Sequence, residues 1–455
     1  MSSRPDDLAI KYQSEVNIQN APLNSSLHQT FAWTLGGNIT YAVCQWGILV
    51  VLAKVGTPEM VGQFALGLAI AAPILMLANL QLRPLQATDT QSMFEFSDYL
   101  GLRLITAVLA FCMICFSVLM CGLSPSTASV VLVVGIAKCI ESVSDALYGQ
   151  LQKADRMDRI AMSMMMKGPL SLAAMAVVVW STGRVVWGAT ALAAVWSFLG
   201  ATFDWTSATH SLRQTHVRPI EVVKDLRNAD RHATATRFSL RWRPRILVEL
   251  VRLALPMGVA MMLLVLATNI PKYLVERDLG EGALGYFSAL AYPGYGMSLL
   301  VAALGQSASA RLARAYVSGG KAFGRLLLML ATITLLVGVI AVGVVIVMGR
   351  DILSMLYRPE YAQYSGVFAI LIVSTVIWSL ESILGYAATA SRAYLGQAWA
   401  GGIAAGVSMI SGIVLVRSYG LLGAAWATVI GGIAALVAFL IVVLKATRRR
   451  AYLCL

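Results

Sequence analysis

The sequence predicts an all-α integral membrane protein: about twelve transmembrane helices in two parallel repeats of six, with almost nothing folded outside the bilayer. Three observations carry this. Hydrophobic residues fill 58% of the 455 positions and charged residues only 13%, with a mean hydropathy of +0.74. A soluble domain carries about 25% charged residues because its surface must stay wet, so the main solvent of this chain is lipid. Twelve apolar runs follow one another, each close to the ~20 residues a helix needs to cross ~30 Å of hydrocarbon. A polar, basic stretch in the middle of the chain divides those runs six and six.

The elements follow in order. Residues 1–30 are polar and mixed in charge, without the short apolar core of a cleavable signal peptide, and are expected to be a disordered cytoplasmic tail. Residues 31–207 form the first six-helix half, with runs at Phe31–Ala53, Val61–Leu82, Leu102–Gly122, Thr127–Gly149, Met162–Trp180 and Val186–Ser207. Residues 208–249 form a linker in which Arg213, Arg218, Lys224, Arg227, Arg231, Arg237, Arg241, Arg243 and Arg245 surround Trp242. That composition suits an interfacial helix on an anionic leaflet. Residues 250–445 form the second half, with runs at Leu250–Ile270, Leu284–Ser307, Leu326–Met348, Gln363–Leu384, Tyr394–Val416 and Leu421–Lys445, and residues 446–455 form a cytoplasmic tail. The runs are continuous rather than alternating, which excludes membrane strands. Cys112 and Cys115 form a C-x-x-C inside such a run and are expected to be packing residues rather than zinc or redox ligands.

Charge sets the orientation. With the amino terminus inside, 27 of the 35 basic residues fall on the cytoplasmic side. Seven fall outside (Lys54, Arg184, Lys272, Arg277, Arg350, Arg358 and Arg417), and Lys138 is assigned to a span. This is the positive-inside pattern, and it places both termini in the cytoplasm. The net charge of +13 is therefore a topology signal whose partner is anionic membrane lipid, not nucleic acid.

The halves resemble each other. Gly62-Gln63-Phe64 opens the second span of the first half and Gly285-Tyr286-Phe287 that of the second, with Pro73 and Pro293 following. Six spans per half is an even number, so the repeats share one orientation, one of the architectures that transporters use.

Four stretches carry a resemblance to a known family: Val61–Leu66 running on to Asn79-Leu80-Gln81-Leu82-Arg83; Glu141–Gln152; Ala254-Leu255-Pro256 through Asn269-Ile270-Pro271-Lys272-Tyr273 to Phe287; and Tyr419–Trp426. Together, over about Leu35 to Leu444, the chain resembles the polysaccharide-biosynthesis flippases of the O-antigen and exopolysaccharide type. These belong to the multidrug/oligosaccharidyl-lipid/polysaccharide exporter (MOP) superfamily. The resemblance implies a MATE-like transporter fold in the bacterial inner membrane. It implies movement of an undecaprenyl-diphosphate-linked oligosaccharide to the outer leaflet by alternating access. The pathway's polymerase and glycosyltransferases are the implied partners.

Charges inside spans are costly, so they face the bundle interior. Lys138, Glu141 and Asp145 are spaced i, i+3 and i+7 on one helical face. They read either as an internal salt bridge fixing helix packing, or as a diphosphate contact at Lys138 with a carboxylate that exchanges H⁺ or Na⁺. No other cofactor is expected. Asp204 and Glu381 are further ion-coupling candidates that also fit an interfacial position. Arg83, Arg103 and Arg311 lie at cytoplasmic ends of spans, where arginines snorkel, yet a planar guanidinium also binds diphosphate oxygens bidentately. Asn269 and Lys272 are placed at the outer exit, and Pro73, Pro256 and Pro293 are expected as hinges or static kinks.

Other classes fit less well. There is no Walker A sequence, so the chain is not itself an ATPase. His28, His210, His216 and His232 all lie outside the spans, and no outer loop exceeds about fifteen residues, leaving no room for the catalytic loop of a polymerase or ligase. A multidrug antiporter of the same superfamily remains as the alternative; it calls for an acidic, aromatic-lined cavity where a flippase calls for an anion-selective one.

Overall fold

A computed structural model describes residues 27–89, 93–216, 243–318 and 320–453, and these are almost wholly helical. The first half comprises α1 (Leu27–Val55), α2 (Pro58–Asn79), the short α3 (Leu82–Thr88), α4 (Phe96–Cys121), α5 (Pro125–Lys153), α6 (Met157–Thr182) and α7 (Val185–Leu199). A π-helical turn, Gly200–Asp204, joins α7 to α8 (Trp205–His216). The second half comprises α9 (Pro244–Ala291), α10 (Pro293–Ser318), α11 (Gly320–Leu356), a 3₁₀ turn Pro359–Tyr364, α12 (Ser365–Ala390) and α13 (Tyr394–Leu453).

Nine described helices are long and apolar enough to cross a membrane by length and composition. Two of them hold two rods each, because α9 turns back at Gly280 (φ 87°) and α13 at Gly420 (φ 58°), backbone conformations that suit glycine. The second limb of α9 continues into α10, and α5, among the more polar helices, crosses as well, giving the twelve rods. Large apolar side chains cover the outside of the bundle, with Leu119 75%, Trp180 78% and Val347 82% exposed. Exposed apolar surface on this scale belongs against lipid. Cys112 is exposed on the same lipid-facing helix as Leu119.

Helix ends differ from the sequence expectation. The sixth span runs on to His216 rather than stopping at 207, α9 begins at Pro244 rather than 250, and α13 continues to Leu453. Apolar runs mark only the stretch in hydrocarbon, while the backbone hydrogen bonds of a helix carry on into water. The expected interfacial helix around Trp242 and the first 26 residues lie outside the described residues.

One end of the bundle, where α1 starts, gathers Arg83, Lys153, Arg156, Arg159, Arg243, Arg311, Arg314, Arg325, Arg392 and Lys445; it is called the basic end here. The halves meet along α2 and α9. At the far end they touch backbone to backbone. A Cβ on Gly62 would collide with the Glu281 carbonyl oxygen, and one on Gly285 with that of Pro58. The repeated Gly-x-Phe is therefore a close-contact device: each half contributes its glycine to the seam. Polar groups reinforce this end. Gln63 Nε2 donates to Glu281 Oε2 at 2.8 Å, Thr127 Oγ1 also donates to Glu281, and Lys54 Nζ donates to the Met355 carbonyl at 3.0 Å. Arg358 Nη2 donates to the Gly56 carbonyl at 2.8 Å. At the basic end, among the described residues, the halves are linked by an exposed ion pair, Arg243–Glu95 at 3.0 Å, beside an apolar cluster that joins Leu80, Tyr99 and Leu102 to Leu247, Leu250 and Ala254.

The first half is braced by a buried ion pair. Lys167 Nζ lies 2.5 Å from Asp204 Oδ2 and donates to Ser144 Oγ at 2.9 Å and Tyr148 Oη at 3.0 Å. Ser163 Oγ donates to Asp204 Oδ1 at 2.5 Å. Both ions are buried, and the π turn ends on Asp204 and aims it inward. Two sequence expectations are corrected. Asp204 is not interfacial, and Lys167, assigned to the cytoplasmic side, lies ten residues inside α6. Each ion tolerates burial only because of the other.

Two outcomes test this packing. Lys167→Met leaves a buried carboxylate without its cation and is expected to cost about 3–5 kcal/mol, read as a fall in the thermal unfolding midpoint in detergent, whereas Lys167→Met with Asp204→Leu recovers most of it. Cysteines placed at Glu59 and Gly282, whose side-chain positions adjoin, are expected to be joined by a short bifunctional reagent; adding Gly285→Val should abolish the product, and an undiminished yield would show that the glycine seam does not hold the far end shut.

Candidate functional site

Helix α5 is the polar spine of the first half. Ser124 caps its start by accepting from the Thr127 N–H at 3.3 Å, and Pro125 fills the first turn. Its polar side chains face inward because lipid surrounds the half on its other sides.

Nearest the basic end, one carboxylate serves two guanidinium groups. Arg83 Nη1 lies 3.2 Å from Asp145 Oδ1 and Arg103 Nη2 lies 3.1 Å from Asp145 Oδ2. Arg83 Nε also donates to Gln152 Oε1 at 3.1 Å, and its guanidinium stands 5.6 Å from the Tyr148 ring centroid. Arg103 donates to Asn79 Oδ1, to which Ser142 Oγ also donates at 2.6 Å. Local backbone explains how Arg83 gets there: Leu80 and Gln81 adopt left-handed conformations (φ 49° and 52°) that end α2 and swing α3 across α5. Arg103 is fully buried, eighth in α4, so the snorkelling expected of it is corrected. Arg83 and Asp145 are 29% and 30% exposed, and the cluster carries one net positive charge.

Further along α5, Lys138 Nζ lies 2.6 Å from Glu141 Oε2, and Tyr41 Oη donates to Glu141 Oε1 at 2.5 Å. Lys138 also stands 5.3 Å from the Trp196 ring centroid. The expected internal salt bridge is present, but Asp145 does not join it; that carboxylate belongs to the arginines. Tyr292, of the other half, lies within electrostatic reach of Glu141.

The second half is built differently. Lys272 Nζ donates to Asn269 Oδ1 at 3.0 Å, and Asn269 Nδ2 to the Val265 carbonyl at 2.8 Å. These two were expected at the outer exit. They sit eight and eleven residues before the Gly280 turn, about 12–16 Å inside the bundle. Glu381 is 6% exposed, nine residues from the end of α12 rather than two or three, because that helix continues to Ala390. Among the described residues it makes neither ion pair nor hydrogen bond, and its Oε1 lies beside Gly385, on the side where Phe439 packs. Arg311 is exposed on α10 at the basic end and is not brought to the arginine cluster. Pro73 and Pro256 lie inside α2 and α9, and Pro293 opens α10 just after a break at Tyr292.

The residues the sequence did not single out are Tyr41, Tyr148, Lys167, Trp196 and Glu281. Lys167 carried a readable signal, a lone cation amid the apolar run Met162–Trp180. The aromatic residues carried none, since rings are as common in lipid-facing spans.

No family model matches the chain. It is 24% identical over 417 residues to the capsular polysaccharide biosynthesis protein CapF of Staphylococcus aureus, covering 90% of this chain and 98% of that one. Its structure is similar to that of the lipid II flippase MurJ in an inward closed conformation, with a TM-score of 0.66 at 12% identity, over 92% of this chain and 89% of that one. It is also similar to an inward-facing multidrug resistance MATE family transporter of the MOP superfamily, with a TM-score of 0.59 at 15% identity, over 91% and 95% of the two chains. The chain has the membrane transporter fold of the MOP superfamily and is similar, along nearly all of its length, to a capsular polysaccharide biosynthesis protein.

Proposed function

We propose that this protein is a flippase, not an enzyme, that carries a lipid-diphosphate-linked oligosaccharide from the cytoplasmic to the outer leaflet of a bacterial inner membrane. The basic end, with both termini, is cytoplasmic in this reading, in line with the charge bias. The observation that carries the substrate class is the arginine pair. Arg83 and Arg103 share one carboxylate at the end of the bundle where a lipid headgroup enters, and the partly exposed Arg83 keeps a donor free for phosphate oxygens. With Lys138, Lys167 and Lys272, the interior holds five cations against the carboxylates of Asp145, Glu141, Asp204 and Glu381. That balance suits an anion and disfavours a cationic drug. The similarity to a capsular polysaccharide biosynthesis protein points the same way.

In alternating access, the seam at Gly62 and Gly285 closes the outer end while the headgroup binds, and its opening delivers the headgroup outward. Substrate shifts the balance between the two states only by as much as it binds one better than the other. Glu381 supplies a site for the driving ion: an isolated intramembrane carboxyl is where such proteins carry a proton or Na⁺. Asp145, Glu141 and Asp204 are already matched to cations, which leaves Glu381 as the coupling acid.

Reconstitution tests the reading. Proteoliposomes given fluorescent undecaprenyl-diphosphate-linked oligosaccharide are expected to move it between leaflets faster than protein-free vesicles; equal rates, or faster transport of a cationic dye, would overturn the assignment. Arg83→Ala removes a charge-assisted contact of roughly 1.5–3 kcal/mol and should weaken substrate binding about tenfold or more without loss of membrane insertion. Imposed pH and Na⁺ gradients should change the wild-type rate, and Glu381→Gln should erase that dependence; a variant that still responds would remove Glu381 from the coupling step.

A further inference from the structure

Beyond the arginine cluster, the bundle interior holds a second set of groups that packing alone does not account for. Glu141 and Lys138 are 31% and 27% exposed although they lie mid-way along α5, far from either end. Glu141 accepts one bond from Lys138 and one from Tyr41, and a carboxylate has about four acceptor sites. The second half brings Tyr292 and Tyr295 near them, just before and just after the break that starts α10, with ring centroids 5.9 Å apart and tilted by 38°. Tyr295 is 52% exposed and within electrostatic reach of Tyr41; Tyr292 is within reach of Glu141.

We propose that this space is a carbohydrate subsite, in which the first sugar of the cargo stacks on Tyr295 and hydrogen-bonds to Glu141 and Lys138. The inference rests on the flippase reading and adds to it the recognition of the glycan. The chemistry selects a sugar. A pyranose has an apolar C–H face that lies well on an aromatic ring, and an edge of hydroxyls that both donate and accept. Glu141 offers the acceptor, Lys138 the donor, and Tyr295 the platform. A prenyl tail would strip water from an ion pair without replacing its hydrogen bonds, so the tail belongs elsewhere. Position agrees: Glu141 is four residues from Asp145, about 6 Å along α5, so a sugar at Glu141 lies next to a diphosphate held by Arg83.

The break at Tyr292 gives the site its form. Pro293 has no N–H to donate, and the Tyr295 N–H instead bonds back to the Tyr292 carbonyl at 2.8 Å. That turn keeps the two rings side by side, as neighbours three residues apart. Because Tyr41, Glu141 and Lys138 lie on one half and Tyr292 and Tyr295 on the other, the sugar bridges the halves and is held best while they are close.

The test separates the headgroup from the sugar. Purified full-length protein is titrated with two probes, undecaprenyl diphosphate and undecaprenyl-diphosphate N-acetylglucosamine, and each affinity is read by native mass spectrometry. Wild type is expected to bind the glycosylated probe about tenfold more tightly, the scale of one stacking contact plus one charge-assisted hydrogen bond. Glu141→Gln and Tyr295→Ala should bring that ratio to about one, whereas Tyr295→Phe, which keeps the ring, should preserve it. Arg83→Ala should weaken both probes alike. A wild-type ratio of one with good binding of the bare lipid overturns the subsite alone, as does a ratio that neither Glu141→Gln nor Tyr295→Ala changes. Failure of both probes to bind wild type overturns the flippase reading and the subsite together. Retention of the Tyr295→Phe ratio also shows that loss in Tyr295→Ala is not misfolding.

Discussion

A charge inside a lipid-bound bundle is costly unless it finds a counter-charge within the same bundle, and most of the first half follows from that constraint. Lys167 has Asp204, Lys138 has Glu141, and Arg83 and Arg103 share Asp145. All four basic partners are drawn to or beside α5, which is why this helix, less apolar than its neighbours, is set where it touches α2, α4 and α7. The pairs differ in what remains over. The Lys167–Asp204 pair is satisfied and sealed, so it fixes packing. The arginine cluster keeps a positive charge and a partly exposed guanidinium, which is why we propose it as the ligand contact.

The halves have the same span count and similar opening motifs, yet they divide the work unequally. Among the described residues, the ion pairs in the membrane interior belong to the first half, while the second contributes tyrosines, Lys272 held by an amide, and the isolated Glu381. What they do share is the contact seam. Gly62 and Gly285 occupy matching positions, and each lies against backbone of the other half. A repeat seen in sequence as a weak motif is thus a pseudo-symmetric contact in space, where any side chain larger than hydrogen would force the rods apart.

Much of this was legible in the sequence. Twelve spans, the six-and-six division and the Lys138–Glu141 pair follow from hydropathy, charge and helical spacing alone. The site was legible only in part, for physical reasons. Arg83 was singled out beside a polar stretch, but its pairing with Asp145 depends on the left-handed turn at Leu80 and Gln81, a conformation that two non-glycine residues do not announce. Arg103 looked interfacial because a boundary drawn by hydropathy starts at Leu102, whereas the helix begins at Phe96 behind a capping box of Glu95 and Asp98. Tyr41, Tyr292 and Tyr295 were invisible because what distinguishes them is the group that the fold brings near each ring, Glu141 above all.

The π turn at Gly200–Asp204 has a consequence for the phase of the sixth span. An α-helix advances about 100° per residue, so eight residues would carry Asp204 about 80° past Trp196. Both side chains nevertheless point into the bundle, Trp196 2% and Asp204 0% exposed. The wider turn absorbs the excess, returning the helix to the face it had a moment before. A helical wheel drawn straight through this span puts Asp204 on the wrong side. The chain stores about a quarter-turn of phase in five residues, and the burial of a charge depends on it.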